Sequence, residues 1–216
     1  MKTELEVIRK KVSLQDTGTS WKKIEEGIVQ LTECCRSGGC VFTTEMVAGV
    51  RSLSRPLNNV INSERSRLSS ASIELITAMS AGLGPAFEPL ASIFMPPLLG
   101  LCAHNNTVYS RRAKASIIAI IENTRLPSLL PYLTEKLNHK SAAVRLVAVK
   151  GILTCLNCFN SPLDDTCVRL VENAVELTAR DARADVRKAG DKILQAYKAL
   201  SPDRMERFVS IISRLC

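Results

Sequence analysis

The chain has 216 residues, a formal net charge of +8 and a pI near 9.2, and 46% of its residues are hydrophobic against 23% charged. These proportions allow a buried core and exclude a disordered chain, while an aromatic content of 4% argues against a deep aromatic cofactor pocket. The surplus of positive charge predicts an acidic partner, which could be nucleic acid, an anionic membrane or an acidic protein.

Apolar residues recur at helical spacing from the N-terminus onward. Residues 5–12 form a first short stripe, and a second begins after Ser20, a residue type that caps helices, and ends at Gly38 and Gly39. No segment alternates with period two, so we expect no sheet. The remaining predicted helices cover residues 47–61, 68–79, 87–101, 111–121, 126–133, 144–159, 165–178 and 186–200, with a terminal helix after Ser201 and Pro202.

Four of these helices open with a related motif. Each copy has a small residue three positions after its start and an apolar residue four positions later, so a second helix can approach this face closely. The copies recur at intervals of 44, 33 and 42 residues. These intervals match the about 40–47 residues of HEAT and armadillo repeats, with one short member. The pattern predicts an all-α solenoid of about five to six HEAT-like antiparallel helix pairs. The copies start at Leu68, Arg112, Arg145 and Arg187, and their small residues are Ala71, Ala115, Ala148 and Gly190.

The pattern of cysteines and histidines does not indicate an enzyme. Cys155 and Cys158 fall inside a predicted helix rather than at a strand-to-helix turn, and the remaining cysteines have no zinc-site spacing. His104 and His139 lie in turns without an evident Ser, Cys or Asp partner, and no Gly-rich phosphate loop is present. We therefore expect no catalytic activity, no cofactor and no metal site.

The N-terminal sequence MKTELE places charges where a secretory signal needs an apolar segment. The least polar stretch, residues 89–103, is shorter than the about 20 residues that span a bilayer. We therefore expect a soluble, reduced, intracellular protein whose eight cysteines mostly act as small buried hydrophobic residues.

Five helix pairs with basic residues at the turns within the pairs resemble a TOG domain, the tubulin-binding HEAT module, of the kind found in the CLASP family. The resemblance covers residues 5–212 and implies that residues 1–216 form a single TOG-like domain. It is carried by the stretches TSWKKI (19–24), LPSLLPYL (126–133), HKSAAVR (139–145) and RDARADVRK (180–188).

The resemblance implies a tubulin-binding module of a microtubule plus-end or spindle regulator, which stabilises or rescues microtubules. Its partner would be the αβ-tubulin heterodimer or the microtubule, without nucleic acid or membrane. The domain would act as a monomer, alone or within a longer protein, in the cytoplasm on microtubules and the spindle. The contact residues implied by the family's turns are Trp21, Lys22, Arg65, Arg111, Lys140, Ser141, Arg145, Arg183 and Arg187.

Family members often carry a lysine in the third turn, where this chain has Thr107. Arg111, Arg112 or Lys114 would then substitute, or the third contact would be altered.

Several of these residues also have a structural interpretation. Trp21 lies three positions before Ile24 and could extend the buried stripe of its helix. Arg145 and Arg187 open helices and could bond to neighbouring turns, with Asp185 as a partner. Lys140 could be an ordinary solvated lysine.

Two other functions remain open. A generic HEAT-repeat interaction scaffold would share the fold. A HEAT-like DNA glycosylase would need a carboxylate and aromatic platforms on one face, and with one Trp that arrangement is not visible in the sequence.

Overall fold

The computed structural model describes residues 2–159, 163–200, 202 and 204, and these contain helices without any strand. The predicted all-α class is confirmed. The terminal helix predicted after Pro202 falls mostly outside the described residues. The helices are α1 (Lys2–Val12), α2 (Trp21–Arg36), α3 (Thr43–Ser52), α4 (Ser54–Ile61), α5 (Ser66–Leu83), α6 (Glu88–Leu101), α7 (Thr107–Thr124), α8 (Leu130–Glu135), α9 (Ala142–Cys158), α10 (Asp165–Ala179) and α11 (Ala184–Leu200).

The chain divides into two compact units, Met1–Thr124 and Arg125–Cys216. In the first unit α1 pairs with α2, α3 and α4 precede α5, and α6 pairs with α7. In the second unit α8 pairs with α9 and α10 with α11. The described residues thus form five helix pairs, within the predicted range. None of the helices that the structure describes is long and apolar enough to cross a membrane.

Side-chain contacts fix the direction of the helices in the last pair. Glu172 in α10 accepts a hydrogen bond from Tyr197 near the end of α11, whereas Gly190, further back along α11, lies against Thr178 near the end of α10. Residue numbers rise along α10 where they fall along α11, so this pair is antiparallel. In the first pair, Lys11 at the end of α1 bonds to Glu26 and Gln30 of α2. The second helices then stack within each unit, α2 on α5 and α5 on α7 in the first, α9 on α11 in the second.

The small-residue register holds for two of the four repeat copies. Ala148 and Gly190 are buried, and a Cβ added at Gly190 would lie 2.3 Å from Thr178 Oγ1. Ala71 is half-buried. Ala115 is exposed, so its predicted burial is wrong, and Ala113 is the buried small residue of α7. The buried residues of α7, among them Tyr109, Ala113 and Ile117, recur at helical spacing, and Ala115 does not lie on their face.

The stripe predicted as one helix over residues 47–61 is two helices, α3 and α4, separated at Leu53. Proline lacks an amide N–H and is tolerated in the first turn of a helix, where that N–H has no intrahelical partner. Restarting the helix at Ser54 places Pro56 in a first turn. The break therefore follows from the position of this proline.

Candidate functional site

The three turns that precede α2, α5 and α7 are bonded to one another in series within the first unit. Asp16 accepts a hydrogen bond from the Ser63 hydroxyl at 3.0 Å and one from Arg65 Nε at 3.0 Å. The Tyr109 hydroxyl in turn donates to the Glu64 carbonyl at 3.0 Å. Residues that lie 45 and 47 positions apart in the sequence are thus bonded, and the three turns adjoin one another at one end of their helices.

Trp21 opens α2 at the first of these turns and is half-buried, whereas Ile24 on the same helix is fully buried. The Cζ atoms of Arg65 and Arg67 each lie 5.7 Å from the indole centroid, and Lys22 Nζ lies 5.8 Å from it. Cations within about 6 Å of an aromatic face are attracted by its negative potential. The indole is thus neither a core side chain nor a bare surface ring: it lies beneath basic side chains.

Two carboxylates hold the arginines in this position. Arg65 pairs with Asp16 at 3.0 Å, and Arg67 Nε pairs with Glu25 at 2.8 Å. The Glu25 side chain is only 17% exposed, although that of Arg67 is 71% exposed. The Trp21 cluster therefore consists of the indole of Trp21, the guanidinium groups of Arg65 and Arg67, and the carboxylates of Asp16 and Glu25.

The loop that carries Asp16 is ordered by Ser20, which the sequence placed as the cap of α2. Ser20 does occupy the N-cap position, but its side chain makes no bond to the helix. It accepts from the Thr17 amide at 3.0 Å and donates to the Gln15 carbonyl instead. Its hydroxyl therefore shapes the approach to the helix rather than satisfying the helix N–H groups.

The third turn is held by its own side chains and presents Arg111. His104 Nδ1 accepts from the Asn106 amide at 3.0 Å, and Asn106 Oδ1 accepts from the Val108 amide at 2.9 Å. Arg111 is exposed in the first two turns of α7 and takes part in no ion pair among the described residues. Its charge is therefore available to a partner.

In the second unit, Arg145 of α9 forms a two-pronged ion pair with Asp181. Arg145 Nε lies 2.6 Å from Asp181 Oδ2, and Nη2 lies 2.9 Å from Oδ1. The two side chains are only 15% and 8% exposed. The guanidinium lowers the pKa of the Asp181 carboxyl below its ordinary value, chiefly through these hydrogen bonds. The remaining guanidinium nitrogen, Nη1, donates to the carbonyls of His139 and Lys140 at 3.0 and 3.3 Å.

Asp181 also organises the fifth turn. It accepts a hydrogen bond from the Arg183 amide at 2.9 Å, and its backbone carbonyl accepts one from Arg187 Nη1 at 2.7 Å. Asp185, the partner suggested by the sequence, instead pairs with Arg183 on the surface at 3.3 Å. Asp181 therefore replaces Asp185 as the residue that connects neighbouring turns. Its partner lies 36 residues away, so sequence proximity gave no signal for it.

The fourth turn leaves Lys140 exposed and outside every ion pair of the described residues. Its neighbour Ser141 is half-buried, and the Ser141 amide donates to His139 Nδ1 at 3.0 Å. Of the site residues predicted from sequence, Lys140 and Arg111 thus keep free charges, whereas Arg145 is engaged within the fold.

Among the described residues, no group of three or more His, Cys, Asp or Glu side chains could hold a metal ion. Five of the described cysteines are buried and two are half-buried. Burial raises the pKa of the Cys102 thiol to about 12 and that of the Cys167 thiol to about 11. These two thiols therefore behave as small apolar groups, as expected from their positions in the sequence.

These features define a solenoid of HEAT-like helix pairs whose turns carry aromatic and basic residues. The family described as "CLASP N terminal" matches residues 6–214, and the chain belongs to this family.

A relative in Candida albicans, Protein STU1, is 22% identical over 203 residues, covering 90% of this chain and 16% of its own length. The chain thus spans about one sixth of that relative. Among solved structures, the MAST/Orbit N-terminal domain has a TM-score of 0.65 at 15% identity, covering 94% of this chain and 87% of its own. A structure described as "TOG-tubulin binding specificity promotes microtubule dynamics and mitotic spindle formation" has a TM-score of 0.66 at 14% identity, covering 97% and 87%.

Proposed function

We propose that this chain is a non-enzymatic tubulin-binding module of a CLASP-type microtubule regulator. It would stabilise or rescue microtubules at plus ends and on the spindle, in the cytoplasm. The observation that carries the proposal is the arrangement of the turns: within each unit they adjoin one another and carry basic side chains, and the first turn carries the only tryptophan of the chain.

Charge and family membership support this proposal. A protein with a net charge of +8 is complementary to the acidic surface of tubulin, and such complementarity speeds encounter and sets register. The description of one similar fold names tubulin binding for that protein. We retain the prediction that residues 1–216 act as one monomeric domain, since the family match runs through both units.

The turn residues divide by their contacts. Lys22, Arg111 and Lys140 are exposed and supply charge to the partner, and Trp21 supplies an apolar anchor. Arg145 acts mainly by shaping the fourth turn. In this proposal Arg65 contributes a contact in the first unit, and Ser141, Arg183 and Arg187 contribute contacts in the second, each already bonded within the fold.

Size-exclusion chromatography with unpolymerised αβ-tubulin tests the proposal, with duplex DNA as the competing partner. The chain should co-elute with tubulin and not with the DNA. Replacing Arg111 and Lys140 together by Ala should weaken tubulin binding at least about fivefold, because the minority of interface residues that dominate binding contribute more than about 1 kcal/mol each.

A matched control is Lys150→Ala, since Lys150 is an exposed lysine of α9 that lies away from the turns. It should bind like the wild type. Binding to DNA but not to tubulin would overturn the proposed function. Equal losses of tubulin affinity in Lys140→Ala and Lys150→Ala would refute the assignment of the turns as the contact surface.

A further inference from the structure

The Trp21 cluster contains two acidic residues on a surface that is proposed to bind an acidic partner. Asp16 and Glu25 would by simple electrostatics repel such a partner and slow its association. Each of them, however, contacts an arginine that lies over the Trp21 ring. Besides repelling the partner, each carboxylate can therefore favour its binding, because it holds in place an arginine that the partner contacts.

The geometry explains how that effect arises. Arginine side chains have many rotamers, and a partner that binds a mobile arginine must pay the conformational entropy of ordering it. An arginine that is already held in place by an acid spares the complex this cost. Asp16 bonds both to Arg65 and to the Ser63 hydroxyl at 3.0 Å, so it is itself fixed between two turns. Glu25 is largely covered by its surroundings and holds Arg67 by the Nε atom.

We propose that Asp16 and Glu25 are positioning residues that hold Arg65 and Arg67 over Trp21. This inference rests on the proposed function. The anchor of the first two turns is then a composite platform of indole and guanidinium groups. The partner group that it fits is a surface carboxylate beside an apolar side chain. The carboxylate bonds to the guanidinium nitrogens that the acids leave unused, and the apolar group packs on the indole.

The first test uses the free protein and needs no partner. Trp21 is the only tryptophan in the chain, so its fluorescence reports on this cluster alone. In an Asp16→Asn, Glu25→Gln variant the arginines lose their ionic partners and leave the ring. Acrylamide should then quench the emission more strongly than in the wild type, and the emission maximum should move to longer wavelength.

The matched control is Glu26→Gln. Glu26 is the next residue of α2 and pairs with Lys11 at 2.8 Å, away from the indole. This variant removes one acidic charge from the same helix and should leave both fluorescence readouts unchanged. If the double variant fails to fold, the single variant Asp16→Asn gives the same test for Arg65, because Asp16 is an exposed loop residue whose carboxylate holds that arginine.

The second test measures affinity for unpolymerised tubulin by the anisotropy of a dye at the N-terminus. Positioning predicts that the double variant binds about two- to fivefold more weakly, although it carries two fewer negative charges. Glu26→Gln, which changes charge alone, should bind equally or slightly more tightly.

Unchanged quenching in the double variant, or tighter tubulin binding by it, would overturn the inference. A wild-type chain that does not bind tubulin would instead contradict the proposed function. The quenching comparison would still decide whether the acids position the arginines.

Discussion

Replacing Asp181 by Asn should destabilise the second unit strongly, because one side chain connects two turns. The substitution keeps the shape of the side chain but removes its charge. Arg145, whose side chain is 15% exposed, would lose the carboxylate with which it is paired. The Arg183 amide would still find an acceptor in the Asn side-chain oxygen.

The expected loss can be worked from these contacts. Removing one partner of a buried ion pair costs about 3–5 kcal/mol, because the other charge remains desolvated. The Arg145–Asp181 pair is only partly buried, and Arg145 keeps two backbone acceptors, the carbonyls of His139 and Lys140. The cost therefore lies between the about 0–1 kcal/mol of an exposed pair and the range for a buried one. We expect a loss of about 2 kcal/mol in the free energy of unfolding, or about 4–8 °C in Tm for a chain of this length.

The same pair predicts a dependence on pH. The pKa of Asp181 is lowered in the folded protein, so its stabilising effect is fully present above the pKa of the unfolded chain. The effect is lost as the pH falls through the folded pKa. Urea denaturation at pH 7 should therefore separate wild type and variant clearly, and the gap should narrow progressively below about pH 4.

Asp185→Asn is the matched control, since it removes the same group four residues later in a pair that is 62% and 47% exposed. Surface pairs of this kind contribute about 0–1 kcal/mol, so its Tm should stay close to that of the wild type. Equal stabilities for Asp181→Asn and Asp185→Asn at neutral pH would refute the assignment of Asp181 as the connecting residue.

Three backbone substitutions test the packing further. Gly190→Ala should lower the free energy of unfolding by about 1–3 kcal/mol, because its Cβ would meet Thr178 at 2.3 Å, and urea titration would measure the loss. Gly100→Ala in α6 meets nothing within 4 Å and should raise the stability by about 0.5–1 kcal/mol; a loss there would contradict the open space at this position. Arg125→Gly should raise Tm by relieving a left-handed residue with φ of 51°, worth about 1 kcal/mol, and an unchanged or lower Tm would show that no strain is stored there.

The helices and their pairing were predictable because each helix buries one regular stripe. Ile24, Ile28 and Leu31 of α2 follow helical spacing and are all fully buried. The register failed in α7, where the motif was placed on Ala115. The buried residues Tyr109, Ala113, Ile117 and Ile120 keep helical spacing, and Ala115 does not lie on their face.

The candidate site was less predictable, since its properties depend on contacts between turns that are distant in sequence. The sequence identified Trp21 and Arg65 separately, but gave no sign that Asp16 connects their turns or that Arg67 shares the indole. The motif Arg65-Ser-Arg67 is visible in the sequence as two basic residues at a helix start. That both contact Trp21 could be seen only once the first turn was placed beside this helix.

Arg145 and Lys140 show why basic residues in such turns cannot be assigned by type. Lys140 lies in the fourth turn, and Arg145 lies close behind it at the start of α9. Arg145 is largely covered and paired with a carboxylate, whereas Lys140 faces solvent without an ionic partner among the described residues. A charge that stabilises the fold is neutralised and desolvated, whereas a charge that attracts a partner must stay solvated until binding. One side chain cannot satisfy both conditions fully. The net charge of +8 therefore overstates what the turns can offer to an acidic partner. Most of the salt dependence of binding should come from Lys22, Arg111 and Lys140, which take part in no ion pair of the described residues.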